Sequence, residues 1–582
     1  MSAKIFPRFS RGWHQYFNSR HLRFANGNCQ VRSWTLRNRT ILSSGISTSQ
    51  RYTNWEKPQG YDTGIKVWNT LTKTKEPLIL RNDRMGTWYM CGPTVYDSAH
   101  IGHASTYMRF DIIRRIMENF FDINLMVVLG ITDIDDKIID RSNETGIPFS
   151  QITWQHKIEF FEDMEALNIL PPSRSMQVTE YVPEIIDFVN VIINKGYAYT
   201  TPSGSVYFNV EKIGRYGILC APSGSCDQAD NQEKKNAADF VLWKAAKPDE
   251  PHWEAPWGKG GPGWHIECST MASEIFGNKM DIHSGGTDLI FPHHENELAQ
   301  SHAYHGCTQW ANYWIHTGHL FLKDDKEKMS KSLKNVISIS ELLEKYTANQ
   351  FRVLCLLTPY RNNVEYTDEK MQKAVQLTKQ IQSCLHQCDA YVRGQLLTQP
   401  INEAKLHESL SRARSNIEAA MADDFNTALM MESVMDLVKR LNIALGAKVE
   451  TLMGARSPAV VSHCSTYLQN VMAKLGVNLH LAEPPGQDLT TRRFQHIMDS
   501  VVDFRAKVRN FSIDPPQEIL VKDADPSLTE KKARRKVLSP LLQACDVVRD
   551  DLKAAKVQIL DHGKTSSWTL TSDDDSDDDK SD

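Results

Sequence analysis

At 582 residues, 41% hydrophobic and 24% charged, the chain has the make-up of a soluble globular protein of roughly three or four domains. No apolar run reaches the roughly eighteen residues of a membrane span, and the 11 cysteines are scattered, odd in number and free of CxxC pairs, which argues against a disulfide scaffold and for a reducing compartment. The net charge is −4, but removing the first 51 residues, with nine basic and no acidic side chains, leaves −13, too acidic for non-specific binding of nucleic acid.

That basic stretch, with serines and aromatics interspersed, predicts an organellar import leader over 1–51, mitochondrial unless the source has plastids. A basic arm that binds nucleic acid would carry the same charge run. Globular text begins near residue 60. The stretch TWYMC at 87–91 predicts a buried strand broken by Gly92-Pro93, residues 104–120 a helix, and NLMVVLG at 124–130 a second strand, together a parallel βαβ unit. An insertion follows at 181–243: a helix over Val182–Asn194, a hairpin turning at Pro202-Ser203-Gly204, and a polar loop at 221–237. Gly258 to Gly263 match GxGxxG, but WEAPW before them does not read as a strand and Pro262 sits in the turn, so a dinucleotide site is not expected. Parallel-sheet text resumes at 280–283, ahead of Ser284-Gly285-Gly286. From 338 onward the pattern is almost wholly helical, opening with a capping box at Ser338 and Glu341, and 571–582 form an acidic tail.

Three stretches carry chemistry. In FPHHENE (291–297) two histidines and two carboxylates crowd after a proline, as a metal site, a proton-transfer site or a polar helix start would have it. On a helix, residues four apart share a face, which pairs His293 with Glu297; HExxH would need histidine where Leu298 stands, so a metallohydrolase of that type is excluded. His100 and His103 flank Gly102 at a predicted helix start, where free N–H groups and partial positive charge suit phosphate. Lys328 and Lys331 bracket Ser330 in a polar loop, placed either to contact phosphate or to form a solvated surface.

HIGH at 100–103 followed by KMSKS at 328–332 resembles the signature pair of class I aminoacyl-tRNA synthetases. CGPTVYDSAHIGH (91–103), GITDIDDKI (130–138), GWHIECS (263–269), DIHSGGTDLIFPHHENELAQS (281–301) and EKMSKSLKN (327–335) resemble the cysteinyl-tRNA synthetases, in mitochondrial form given the leader, and the likeness spans about residues 65–440. It implies an α/β fold: a Rossmann-like parallel sheet over 60–180 and 244–320, a connective insertion at 181–243, a KMSKS loop and stem-contact region at 321–375, a helical anticodon-binding bundle at 376–480 and a helical region at 481–570. The stretch ADDFNT (422–427) is a family landmark within the bundle.

The implied activity is ATP-dependent formation of cysteinyl-adenylate and transfer of cysteine to tRNA(Cys) in the mitochondrial matrix, by a monomer without membrane attachment. The resemblance implies one zinc per chain on Cys91, Cys268, His293 and Glu297. Zinc prefers thiolate to hydroxyl, which would separate cysteine from the near-isosteric serine. Four protein ligands ordinarily close a structural site, so a selecting role needs a fifth position or a weakened ligand such as Glu297; a purely structural zinc is the alternative. Cysteine contacts are implied at Gly92, Thr132, Trp264, His283, Asp288 and His293, with Trp264 a lid and Asp288 near the amino group, although core packing alone would also explain a tryptophan. The resemblance also implies ATP contacts at His100, Gly102, His103, Gly285, Gly286, Lys328 and Lys331, with His100, His103, Lys328 and Lys331 expected to stabilise the transition state. Magnesium is expected from ATP chemistry rather than from a motif. Bacterial relatives read KIIK where this chain has Lys137-Ile138-Ile139-Asp140, which weakens an implied pyridoxal-phosphate-dependent persulfide side activity. A class I ligase with a small-amine acceptor is the alternative activity, which the long region after KMSKS disfavours. Lys531, Lys532, Arg534, Arg535 and Lys536 form a basic cluster, either a tRNA phosphate contact or a solvated helix face.

Overall fold

The structure is a computed structural model that describes residues 55–220, 233–322, 336–446, 455–479, 489–516 and 529–571. The basic leader, the centre of the polar insertion loop, the KMSKS motif with Lys328 and Lys331, and the acidic tail lie outside the described residues. An antiparallel hairpin, β1 (Tyr61–Asn69) and β2 (Thr74–Leu80), precedes the first parallel unit: β3 (Met85–Thr94), α1 (Ile101–Phe120) and β4 (Asn124–Thr132). Gly92-Pro93 does not break β3. The pairing with β4 shifts register there, and a Cβ on Gly92 would lie 1.9 Å from the carbonyl oxygen of Gly130, so only glycine allows the two strands to close. Helices α2 (Asp136–Thr145) and α3 (Phe149–Ala166) lead to β5 (Arg174–Gln177).

The insertion starts with α4 (Val182–Asn194) and the expected hairpin, β6 (Ala198–Thr200) with β7 (Val206–Phe208), then a single turn α5 (Val210–Ile213). Its sheet continues through β8 (Phe240–Ala245), β9 (Trp253–Ala255) and β10 (Gly258–Pro262) in the order β6-β7-β8-β10-β9. That sheet therefore runs past the expected end of the insertion at 243. Two readings of this segment need correction: WEAPW does contain a strand, and the GxGxxG glycines form one themselves. A Cβ on Gly260 would meet the Lys244 carbonyl oxygen at 2.2 Å, so these glycines serve close strand pairing.

Helix α6 (Trp264–Phe276), β11 (Met280–Gly286), α7 (Glu295–His305) and β12 (Ala311–Thr317) complete the main sheet, whose order is β12-β11-β3-β4-β5 with every pair parallel. Alternation assigns its two faces. Trp88 and Met90 of β3 join the core shared with α1 and the helical region, whereas Tyr89 and Cys91 join the core shared with α4, α6 and the insertion sheet.

A parallel pair, β13 (Leu320–Leu322) with β14 (Val364–Tyr366), brackets α8 (Ile339–Lys345) and α9 (Ala348–Leu356). The bundle follows as α10 (Asp368–Val392), α11 (Glu403–Ala422), α12 (Thr427–Gly446) and α13 (Pro458–Lys474). The capping box at Ser338 and Glu341 is present. The last unit is not purely helical: α14 (Leu489–Ile513), α15 (Glu530–Val537) and α16 (Ser539–Ala554) are joined by an antiparallel hairpin, β15 (Val557–His562) with β16 (Thr565–Leu570), around a small core of its own.

Two buried polar junctions fasten the bundle to the sheet domain. Arg352 of α9, fully buried, pairs with Asp111 of α1, which also takes Arg115 at 2.7 Å, and donates to the Asn168 carbonyl at 2.7 Å. Between α11 and α12, Asp424 and Phe425 hold φ of 62° and 51°, and the buried Asp424 carboxylate accepts from the Trp68 N–H, the Tyr360 hydroxyl and Arg361, each at 2.8 Å. Asp424→Ala would strand the Trp68 and Tyr360 donors in the interior. A loss of about 2–4 kcal/mol is expected, read as a lower urea midpoint at unchanged m-value.

Candidate active site

Leaving β3 the chain turns towards β4 and β5, and it later returns on the other side of β3 as β11 and β12, so the sheet's switch point lies between β3 and β11. In open α/β sheets ligands bind beyond the carboxyl ends of the strands at such a point. Cys91 ends the regular pairing of β3, Thr132 ends β4, Gly285 and Gly286 end β11, and α1 starts at the mouth of the same crevice.

Four buried donors converge there. Cys91 Sγ lies 3.7 Å from Cys268 Sγ, 3.6 Å from His293 Nε2 and 3.6 Å from Glu297 Oε1, and His293 Nε2 lies 3.0 Å from Glu297 Oε1. A tetrahedral zinc with bonds of roughly 2.0–2.3 Å separates its ligand atoms by about 3.3–3.8 Å; the three distances from Cys91 Sγ fall in that range, and the hydrogen-bonded His293–Glu297 pair, at 3.0 Å, would open slightly to take the ion. A second grouping, Cys91 with His283, His294 and Glu297, offers one sulfur instead of two. In it His283 would have to leave the other carboxylate oxygen, Glu297 Oε2, which it holds at 2.8 Å. The two-sulfur set is the better zinc site.

The surrounding layer is made of imidazoles. His293 Nδ1 meets His265 Nδ1 at 2.9 Å; His294 Nδ1 meets His316 Nε2 at 2.7 Å, and His316 Nδ1 meets the Thr70 hydroxyl at 2.8 Å. Burial opposes charge on His293, yet Glu297 and Cys268 outweigh it and lift the imidazole to about 10. Burial likewise works against ionised Glu297, but His283 and His293 hold it down at about 2. Burial, then the neighbouring imidazoles, keeps His265, His294 and His316 well below the usual histidine range. The Cys268 thiol is held low by the hydrogen bond from Cys91, while burial and then Cys268 push the Cys91 thiol up.

Two residues of the FPHHENE stretch outside the two-sulfur ligand set have contacts of their own. Glu295 opens α7, but its carboxylate accepts from the backbone N–H groups of Gly217, Ile218 and Leu219 at 2.7, 3.0 and 2.7 Å, so it anchors the insertion loop beyond any service to helix polarity. His294 is more than packing: its Nε2 comes within 3.4 Å of Cys91 Sγ, and Gly285 permits this, since a Cβ there would stand 2.8 Å from the ring. His283, expected under the substrate, is fully buried, stacks on Trp314 at 4.4 Å and orients Glu297.

Trp264, at the start of α6, is 39% exposed and covers His293 at 4.3 Å between rings, which rules out the core-packing alternative. Thr132 donates its hydroxyl to buried Glu267 at 3.2 Å. Asp288 meets His319 at 2.9 Å. His100 caps α1, accepting from the Gly102 N–H, and His103 accepts in return from the His100 N–H; the rings stack at 4.0 Å. Directly after the KMSKS segment, the Ile337 carbonyl accepts from the Ile101 N–H at 3.0 Å, which fastens the exit of that segment to the HIGH helix. The Lys137 ammonium lies over the Tyr96 ring at 5.7 Å. Sequence reasoning missed His265, His316, His319 and Glu267. The available signal was histidine inside otherwise apolar strand text, as in WIHT at 314–317.

The family model described as "tRNA synthetases class I (C) catalytic domain" matches residues 79–376, and that of the "DALR domain" matches 416–480. The chain is 45% identical over 521 residues to the "Probable cysteine--tRNA ligase, mitochondrial" of Xenopus tropicalis, across 89% of this chain and 91% of that one. It is 38% identical over 512 residues to the "Cysteine--tRNA ligase, cytoplasmic" of Dictyostelium discoideum, across 83% and 77%. Among solved structures, a Mycobacterium tuberculosis methionyl-tRNA synthetase bound by methionyl-adenylate shares the fold, with a TM-score of 0.51 at 16% identity over 71% of this chain and 96% of that one.

Zinc content should be one per chain; Glu297→Ala should lose it, and Glu295→Ala should keep it while loosening the 217–219 loop. His283→Ala should weaken zinc affinity by about 10–100-fold, measured by competition with a chelator. Metal binding should also release protons. The Cys91 thiol and the His293 imidazole are both shifted towards their protonated forms, and each must give up that proton to become a ligand. Protons should therefore leave as zinc binds, and affinity should rise with pH, as calorimetry in buffers of different ionisation enthalpy would read.

Proposed function

From the premise that this chain belongs to the cysteine--tRNA ligases, class I aminoacyl-tRNA synthetases, we propose that it charges tRNA(Cys) with L-cysteine in the mitochondrial matrix. The observation that carries the substrate assignment is the meeting of two buried cysteines, His293 and Glu297 beside the HIGH helix, at one end of one parallel sheet. The mitochondrial setting is supported by the acid-free basic leader and by the label of the Xenopus relative.

Cys91, Cys268, His293 and Glu297 would hold zinc, which when bound offers a soft centre that takes thiolate over hydroxyl and so separates cysteine from serine. Trp264 closes over His293 and excludes water from the side-chain pocket, Gly92 and Thr132 border it, and Asp288 receives the substrate ammonium. The substrate carboxylate then attacks the α-phosphate of ATP, forming the mixed anhydride and releasing pyrophosphate. His100 and His103, at the amino end of α1, stabilise the charge that develops on the phosphates, together with Lys328 and Lys331; Gly102, Gly285 and Gly286 let the nucleotide approach the backbone. ATP is taken as its magnesium complex. In the second step a ribose hydroxyl of the tRNA terminus attacks the anhydride carbonyl and AMP leaves. No side chain acts as a nucleophile, so positioning and charge stabilisation carry the rate. The bundle over 376–480 favours tRNA over a small amine as acceptor.

Pyrophosphate exchange tested with each of the twenty amino acids should depend on cysteine alone; dependence on another would overturn the substrate. His103→Ala should slow adenylate formation by about 10²–10³-fold with little change in cysteine affinity, read by single-turnover kinetics.

A further inference from the structure

Asp288 occupies the single turn Thr287–Leu289 between the end of β11 and the ligand-bearing turn of His293. Its Oδ1 folds back over Gly286, where a Cβ would stand 2.3 Å away, and meets His319 Nε2 at 2.9 Å. His319 is itself held on both sides of its backbone. Its N–H donates to Asn363 Oδ1 at 2.9 Å, and its carbonyl accepts from the Val364 N–H at 2.8 Å. One residue earlier, Gly318 lies so close to the 362–363 backbone that a Cβ would approach the Asn362 carbonyl to 2.4 Å. Behind both strands the buried Arg109 of α1 gives one guanidinium nitrogen to the carbonyls of Gly318, Tyr360 and Asn362 at 2.9, 3.0 and 3.1 Å. The His319 ring then rests edge-on against Phe321 at 5.8 Å. Such clamping gives the imidazole a fixed place from which to act.

The Asp288 and His319 side chains are 33% and 22% exposed, so solvent screens the attraction between them and the contact adds little stability. What it supplies is direction. We propose that His319 is a positioning residue for amino-acid recognition: it holds the Asp288 carboxylate in the one orientation that receives the α-ammonium group of the substrate. Recognition is then divided between two fixed points, the thiol end at the cysteine-histidine-glutamate cluster and the ammonium end at Asp288. The Arg109 clamp sets the second point from outside the pocket. A sequence pattern offers no sign of this, since His319 belongs to no motif and its partner lies 31 residues away. The inference rests on the reading that Asp288 meets the ammonium, and the test separates the two.

Pyrophosphate exchange with His319→Leu should raise the cysteine KM by about tenfold, the scale of losing an outer-layer partner, and leave the ATP KM unchanged. His319→Gln, which keeps an N–H donor at similar reach, should restore most of the loss. 3-Mercaptopropionate, which is cysteine without its amino group, should inhibit wild type and His319→Leu with Ki values within about twofold, because it makes no use of Asp288. Cysteine KM and the Ki of this analogue rising together would overturn the proposal, as general damage to the pocket; so would failure of glutamine to rescue. If Asp288→Asn raises the cysteine KM and His319→Leu does not, the positioning role alone is wrong. If Asp288→Asn leaves the cysteine KM unchanged, the ammonium contact itself is wrong and the role of His319 falls with it.

Discussion

A carboxylate cut off from water must be neutralised by its neighbours, and the active-site end of this sheet is arranged around one such group. Glu297 is fully buried, with His283 on one oxygen and His293 and Cys91 around the other. An isolated charge there would cost several kcal/mol, so each neighbour is as necessary to the fold as to the site. The requirement spreads outward. His283 must come from β11, His293 from the turn before α7, and the imidazoles behind them must be neutral, which burial enforces on His265, His294 and His316. Trp314 and Tyr89 then fill the space around His283 with rings.

The same logic joins the helical region to the sheet domain. Arg352 would be untenable in the interior without Asp111 and the carbonyls of Leu167 and Asn168. Gly476 lies directly against this group: a Cβ there would stand 2.9 Å from Arg115 Nε and 3.0 Å from Arg352 Cζ. Helix α1 therefore buries Arg109, Asp111 and Arg115 on faces that would meet water in an isolated domain. One helix presents its amino end to the crevice and its flank to the helical region, so the packing of that region and the geometry of the crevice share a backbone.

Local chemistry was readable where it depends on local spacing. The four-residue interval of His293 and Glu297, the α4 helix, the insertion hairpin and the Ser338 cap all follow from periodicity or turn residues, and each stands where the pattern put it. Cys91 and Cys268 were available only through family resemblance, because nothing within a short window announces that residues 177 apart will touch. Gly92-Pro93 looked like a break because the register shift that accommodates it belongs to the partner strand. The three-residue strand Val364–Tyr366 and the terminal hairpin were lost in helical text for the same reason: their pairing partners, not their own composition, make them strands.

The ligand set also has a temporal meaning. Cys91 comes from the third strand of the chain, Cys268 from a helix beyond the hairpin of the insertion, and Glu297 lies 206 residues from Cys91. In the β3–β11 pairing Tyr89 stands opposite His283; slipped by one residue, every side chain of β3 would face the wrong core, Cys91 included. No partly folded segment can assemble all four donors, so a complete metal site is a late event of high contact order. Metal binding at these four donors would then report correct folding, since they meet only once the long-range strand pairing has closed in register.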